Sequence, residues 1–95
     1  MLYCFSQSSY DNDELVTFLS SVTENDAVVL WQDGVLLAIK YPQYFESCEG
    51  KCFAIEPDVI ARDLTALLPE ESKVRLISLM DLVDITEQYF PQVTL

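Results

Sequence analysis

The segment from residue 27 to residue 39 constrains the fold of this chain more than any other. It contains two apolar runs, residues 27–31 and 35–39, separated by three residues. A run that is apolar at every position is typical of a strand covered on both faces in a parallel sheet, because a half-exposed strand alternates polar and apolar residues. We therefore expect residues 27–31 to form a buried strand.

The sequence after this strand allows two structures. Asp33-Gly34 between two apolar runs is typical of a β-hairpin, since this pair suits the type I′ turn. Alternatively a helix begins near Asp33, with Asp33 as its N-cap, and continues to about Lys40 before Pro42 ends it.

If residues 35–39 are helical, their apolar side chains cover the whole circumference of the helix, and one sheet cannot cover them all. Part of this helix should then contact another chain. The predicted subunit interface consists of Trp31, Asp33, Gly34, Leu36, Leu37 and Ile39.

The remaining pattern alternates strands and helices. Strands are predicted at residues 2–5, 51–55, 73–79 and 93–95. Helices are predicted after a capping box of Asp11 and Glu14, from Pro57 through Leu68, and over residues 81–89. This order predicts an α/β fold, with a small, mostly parallel sheet of four to five strands flanked by helices in a single domain of residues 1–95.

Composition excludes several classes of function. The chain has 5 Lys and Arg against 16 Asp and Glu, a net charge of −11, so direct nucleic-acid binding is disfavoured. It has no histidine, which excludes a Ser-His-Asp hydrolase, and no glycine-rich phosphate loop. No apolar run approaches the ~18 residues of a membrane helix, and no signal peptide is evident. We expect a cytoplasmic protein that binds no cofactor or metal.

Cys48 and Cys52 form a C-x3-C cluster beside Lys51, a neighbour that could lower a thiol pKa. One hypothesis is therefore a thiol or persulfide carrier enzyme that uses this pair. Cys52 begins its predicted strand, however, whereas open α/β sheets bind ligands at the carboxyl ends of strands. The alternative is an ordinary, partly buried pair of thiols. A third hypothesis is an acidic interaction module that uses Glu70-Glu71 and residues 81–84.

Four segments together resemble one known family. They are Met1-Leu2 with Ser8, Leu30-x-Gln32-Asp33-Gly34-Val35, Ile55-Glu56-x-Asp58-x-x-Ala61-Arg62-x-Leu64, and Val83-Asp84-Ile85-Thr86. Their order and spacing are similar to those of the DsrH/TusB family. The resemblance implies a DsrE-like fold, with a strand, a turn and a helix across residues 27–40.

The resemblance also implies a function and partners. Members of this family belong to a heterohexamer with TusC-like and TusD-like homologous subunits, which passes persulfide sulfur, through a TusE-like acceptor, toward 2-thiolation of the wobble uridine in tRNA. The carrier cysteine belongs to the TusD-like subunit, at the carboxyl end of its third strand. Glu56-Pro57-Asp58 stands at that place here, so the resemblance implies a non-catalytic subunit.

Four departures from the family pattern accompany these matches. The first helix has Leu19 and Ser20 where some members carry a cysteine, Ser9 replaces a frequent proline, and Asp63 replaces a frequent glycine after Arg62. The last residues are Val93-Thr94-Leu95, where the family usually has an aromatic residue.

Overall fold

A computed structural model describes residues 1–69 and 71–95 and contains one five-stranded sheet. The order is β4-β3-β2-β1-β5, and every neighbouring pair is parallel. The predicted fold class is therefore confirmed. The strands are β1 (Leu2–Phe5), β2 (Ala27–Leu30), β3 (Lys51–Ile55), β4 (Arg75–Ile77) and β5 (Gln92–Thr94).

Helices connect these strands. They are α1 (Asn12–Ser21), α2 (Leu37–Lys40), α3 (Pro42–Glu46), α4 (Glu56–Ala61) and α5 (Leu79–Gln88). Two short 3-10 helices, Gln32–Leu36 and Thr65–Leu67, precede α2 and follow α4. Within the described ranges, the structure contains no helix long and apolar enough to cross a membrane.

The strand β2 lies at the centre of the sheet, and all its residues are buried. It pairs in parallel with β3, with Val28 opposite Cys52. This pairing excludes the hairpin at Asp33-Gly34, because a two-residue hairpin joins antiparallel strands.

Each face of the sheet packs against different helices. Alternate strand residues, among them Phe5, Val28 and Leu30, join the larger core with residues of α1, α2, α3 and α4. The opposite face, which includes Leu2 and Val29, packs against Leu82 and Ile85 of α5. In the part of the chain that the structure describes, the helical residues packed on this second face all come from α5.

The predicted capping box of α1 is wrong, and the observed one belongs to α5. Asp11 precedes α1, but its side chain accepts no capping hydrogen bond. Ser78 Oγ instead accepts a hydrogen bond from the Asp81 amide, and the Asp81 carboxylate accepts one from the Ser78 amide. This reciprocal cap begins α5 at Leu79, two residues earlier than predicted, and shortens the preceding strand.

The helix predicted from Pro57 through Leu68 is also wrong in its end, since α4 stops at Ala61. Asp63 has a φ of 55°, in the left-handed region. The Leu64 amide donates to the Val59 carbonyl at 3.0 Å and the Asp63 amide to the Ile60 carbonyl at 3.0 Å. This pair of bonds is the Schellman motif, which ends a helix.

Candidate functional site

The first 3-10 helix lies against the carboxyl end of the sheet, and Gly34 makes that contact possible. A Cβ at Gly34 would lie 2.0 Å from the carbonyl oxygen of Phe5, the last residue of β1. The same oxygen accepts a hydrogen bond from the Trp31 amide at 3.1 Å. The glycine is therefore required for the close approach of two backbones.

Asp58 connects α4 to the turn that follows β2. Its Oδ2 accepts a hydrogen bond from the Gln32 amide at 2.7 Å. Gln32 has a φ of 53°, an uncommon conformation for a residue with a side chain. The carboxylate thus stabilises a strained backbone position at the start of the 3-10 helix.

Arg62, one helical turn after Asp58, completes this cluster. Its Nε donates to Asp33 Oδ1 at 3.0 Å, and its Nη1 lies 3.7 Å from Asp58 Oδ1. Nη1 also donates to the Asp58 carbonyl at 3.2 Å. We call Gln32, Asp33, Asp58 and Arg62 the carboxyl-end cluster. The sequence contained one signal for it, the i, i+4 spacing of Asp58 and Arg62.

Asp58 and Arg62 of the carboxyl-end cluster lie after the third strand. The family resemblance implies that the TusD-like subunit has its carrier cysteine at this position. Glu56 and Pro57 form the first turn of α4 directly after β3, and Asp58 follows them. The side chains of the cluster are two carboxylates, a guanidinium and an amide, so it contains no thiol. Its contacts join the 3-10 helix that follows β2 to α4, which is a structural role.

The structure separates the six residues of the predicted interface. Gly34 and Leu37 are buried inside this chain, and Asp33 is exposed and paired with Arg62. Trp31, Leu36 and Ile39 are half-buried.

The argument from the helix circumference is therefore wrong for Leu37, and equally for Val35 and Ala38, which are fully buried. These residues belong to the same buried core as Phe45 of α3, so this chain covers them itself. An interface through Trp31, Asp33, Leu36 and Ile39 stays a prediction.

Trp31 lies beside a groove of about 270 Å³ between α5 and the strands β1 and β5. Cys4, Leu82 and Thr94 also line this groove. The indole N–H of Trp31 is buried and has no hydrogen-bond acceptor among the described residues. Burial raises the pKa of the Cys4 thiol, in keeping with an inert side chain.

Cys48 and Cys52 lie at the amino end of β3, away from the carboxyl-end cluster. Both are buried, and they are close enough for each thiol to affect the ionisation of the other. Cys52 Sγ donates a hydrogen bond to the Gly50 carbonyl at 3.7 Å. Hydrogen bonding from the Cys52 side chain and the Gly50 backbone, together with the charge of Lys73, lowers the pKa of Cys48 from 9.0 to about 6, against the effect of burial. The interaction with Cys48, together with burial, raises the pKa of Cys52. The pair thus loses its first proton readily and holds its second.

The acidic module stays a prediction. Glu71, Asp81 and Asp84 are exposed, and the Asp81 carboxylate also takes part in the cap of α5. Glu70 lies outside the described residues. Across residues 1–69 and 71–95, no group of three or more His, Cys, Asp or Glu side chains could hold a metal ion.

Comparison with known proteins defines the family. Residues 7–92 match the model of a family described as DsrH like protein. The chain is 61% identical over 95 residues to an uncharacterized protein of Haemophilus influenzae, covering 100% of both. It is 35% identical to Protein TusB of Yersinia pestis, covering 97% of both chains.

A solved structure shares the fold. The solution NMR structure of Protein Tm0979 from Thermotoga maritima matches with a TM-score of 0.63 and 29% sequence identity, and 92% of each chain is covered. The carboxyl-end cluster is built from two of the segments that carry the resemblance. The chain belongs to the DsrH family.

Proposed function

We propose that this chain is a TusB-like, non-carrier subunit of a cytoplasmic sulfur-relay complex. In this role the 95 residues act as one DsrE-like domain beside TusC-like and TusD-like subunits. The complex passes persulfide sulfur, by way of a TusE-like acceptor, toward 2-thiolation of the tRNA wobble uridine. Membership of the DsrH family and similarity to Protein TusB support the proposal.

The observation that carries the non-carrier role is the carboxyl-end cluster. A sulfur carrier needs a thiolate at the working edge of the sheet, because the thiolate is the attacking group in persulfide transfer. At that edge Asp58 accepts the Gln32 amide and Arg62 pairs with Asp33. The polar side chains of the cluster thus stabilise the backbone at this edge.

The exposed side of α5 supports the proposal that this chain is part of an assembly. Leu79, Met80 and Val83 of α5 are exposed on the side of the helix that does not face the sheet, and Met80 is 80% exposed. We call these three residues the α5 apolar patch. Phe90, two residues after α5, is also 70% exposed. Exposed apolar patches of this kind are common at interfaces between subunits.

The proposal is tested by complementation. A strain that lacks this gene receives either the wild-type gene or a variant in which Cys4, Cys48 and Cys52 are all replaced by alanine. Mass spectrometry of tRNA nucleosides then measures 2-thiouridine derivatives. We expect both genes to restore thiolation, because the sulfur is carried by another subunit.

The rival function is sulfur carriage by Cys48 and Cys52, which the contact between their side chains favours. It predicts that the alanine variant fails to restore thiolation. That failure counts only if the variant accumulates normally and retains its partners, so immunoblotting and co-purification are measured in the same strains.

A further inference from the structure

Several contacts hold the turn between α3 and β3, which contains Cys48 and leads into Cys52. The Cys48 amide donates to the Phe45 carbonyl at 3.2 Å, and the Lys73 ammonium donates to the Cys48 carbonyl. A Cβ on Gly50 would lie 2.5 Å from Val22 Cγ1, so the turn packs directly on the end of α1. Cys52 Sγ also donates to the Gly50 carbonyl at 3.7 Å, so this turn positions both thiols.

Only one of the two thiols faces an opening. A cavity of about 230 Å³ between α1 and α3 is lined by Cys48 and by Val16, Leu19, Ser20, Tyr44 and Ser47. Cys52 does not line it. A small molecule in the cavity thus reaches Cys48 first, and Cys52 lies behind.

The lining also defines the class of molecule. It contains no charged side chain, and the chain carries a net charge of −11. An anionic molecule such as oxidised glutathione is repelled by this charge, whereas a small uncharged molecule is not.

We propose that Cys48 and Cys52 form a thiol–disulfide exchange site for small uncharged disulfides. Cys48 attacks one sulfur of the disulfide R–S–S–R, which forms a Cys48–S–S–R bond and releases one thiolate. Cys52 gives its proton to that thiolate and attacks the Cys48 sulfur. This step forms the Cys48–Cys52 disulfide and releases the second R–S group as a thiol after protonation. Two protein thiols are oxidised, and one small disulfide is reduced to two thiols.

The charges around the pair suit these roles. Lys73 favours the Cys48 thiolate and Glu49 opposes it, while Glu46 opposes ionisation of Cys52. The hydrogen bond from Cys52 outweighs the effect of burial on Cys48. Cys48 is therefore the attacking thiolate near neutral pH, and Cys52 keeps its proton until the first bond has formed.

The test uses the purified full-length protein and hydroxyethyl disulfide, an uncharged probe. Intact-mass and peptide analysis should show a Cys48–Cys52 cross-link in the wild-type protein. Cys52→Ser should instead accumulate the probe on Cys48, because the second step is blocked. Cys48→Ser should take up no probe at position 52. Cys4→Ser, the control outside the cluster, should form the cross-link like the wild type.

Access through the cavity is tested by a matched pair of variants on α1. Ser20 lines the cavity and Ser21 does not, and both are exposed. Ser20→Phe should slow the reaction several-fold, whereas Ser21→Phe should not. Oxidised glutathione should react more slowly than the uncharged probe.

Several results would overturn the proposal. They are a wild-type protein whose Cys48 and Cys52 stay reduced, a cross-link that involves Cys4, and equal rates for the two α1 variants. Equal rates would mean that the thiols react only after unfolding. Since the assay needs no partner and no tRNA, it does not depend on the sulfur-relay proposal.

Discussion

Gly34 is the residue that fixes how the chain leaves the central strand. Its Cα approaches the backbone of Phe5 so closely that no side chain fits between them. From the sequence, a hairpin turn was one of two structures predicted at this position, because Asp-Gly is common in such turns. The requirement here is space, which a pattern of residue types does not reveal.

Replacing Gly34 with alanine should strongly destabilise the protein. The new Cβ would lie 2.0 Å from the Phe5 carbonyl oxygen, a contact that backbone atoms cannot relieve by a change of rotamer. We expect the free energy of unfolding to fall by about 3 kcal/mol in urea denaturation. Ser9→Ala, at an exposed serine, serves as the control. An alanine variant as stable as the wild type would show that the backbones separate easily.

Cys48 provides a second prediction at this scale, which concerns pH. Its pKa is lowered to about 6 by the hydrogen bond from Cys52, so the thiolate forms at lower pH than in an ordinary cysteine. The rate of iodoacetamide alkylation at Cys48 should therefore rise with pH around a midpoint near 6 and then level off. Cys52→Ala removes the donor and should move the midpoint upward. A wild-type rate that is still rising at pH 9 would contradict the assignment.

Among the secondary-structure elements, α4 shows most clearly how the carboxyl-end cluster works. It is a short helix whose first turn contacts the Gln32 amide and whose last turn ends in a Schellman motif. The apolar spacing of Ile60, Leu64, Leu67 and Leu68 predicted a longer helix. Periodicity alone could not show that Asp63 adopts the left-handed conformation.

Asp58 should contribute to stability through this connection between elements. Asp58→Ala removes the acceptor of the Gln32 amide and should lower the free energy of unfolding by about 1 kcal/mol. Glu56→Ala, which also removes a carboxylate from the first turn of α4, is the matched control and should cost less. Equal losses in thermal unfolding would mean that Asp58 acts only through its charge.

A substitution at Asp63 should stabilise the protein, in contrast to Asp58→Ala. It has a φ of 55° at the position after the helix cap, where glycine is favoured. Asp63→Gly relieves this strain and should raise the free energy of unfolding by about 1 kcal/mol. Asp84→Gly, at an exposed position inside α5, should instead destabilise. A loss of stability in Asp63→Gly would show that the aspartate side chain stabilises the turn.

At the scale of the whole molecule, the sequence predicted the sheet better than the surface. The fully apolar run at 27–31 correctly indicated a central parallel strand, since burial on both faces leaves a direct trace in composition. The similar run at 35–39 did not indicate a subunit surface for Leu37, because this residue is buried in the core of its own chain. The C-x3-C spacing marked Cys48 and Cys52 as a candidate thiol pair. Their proximity in the structure, however, depends on the geometry of the turn, which the sequence did not predict.

The α5 apolar patch should matter for assembly and not for folding. Met80 is 80% exposed, so Met80→Asp should change the free energy of unfolding by less than about 0.5 kcal/mol. The same change should reduce recovery of partner subunits with the tagged protein, because it places a charge in an apolar contact. Met80→Leu is the control and should recover partners normally. Full recovery with Met80→Asp would exclude this patch as the interface.

The most direct test of the account is native mass spectrometry of the tagged chain purified from its native source. We predict a mass equal to two copies each of three homologous subunits, with a persulfide on a partner subunit and none on this chain. An isolated monomer, or a persulfide on a cysteine of this chain, would contradict the central claim that it is a non-carrier subunit of a sulfur-relay complex.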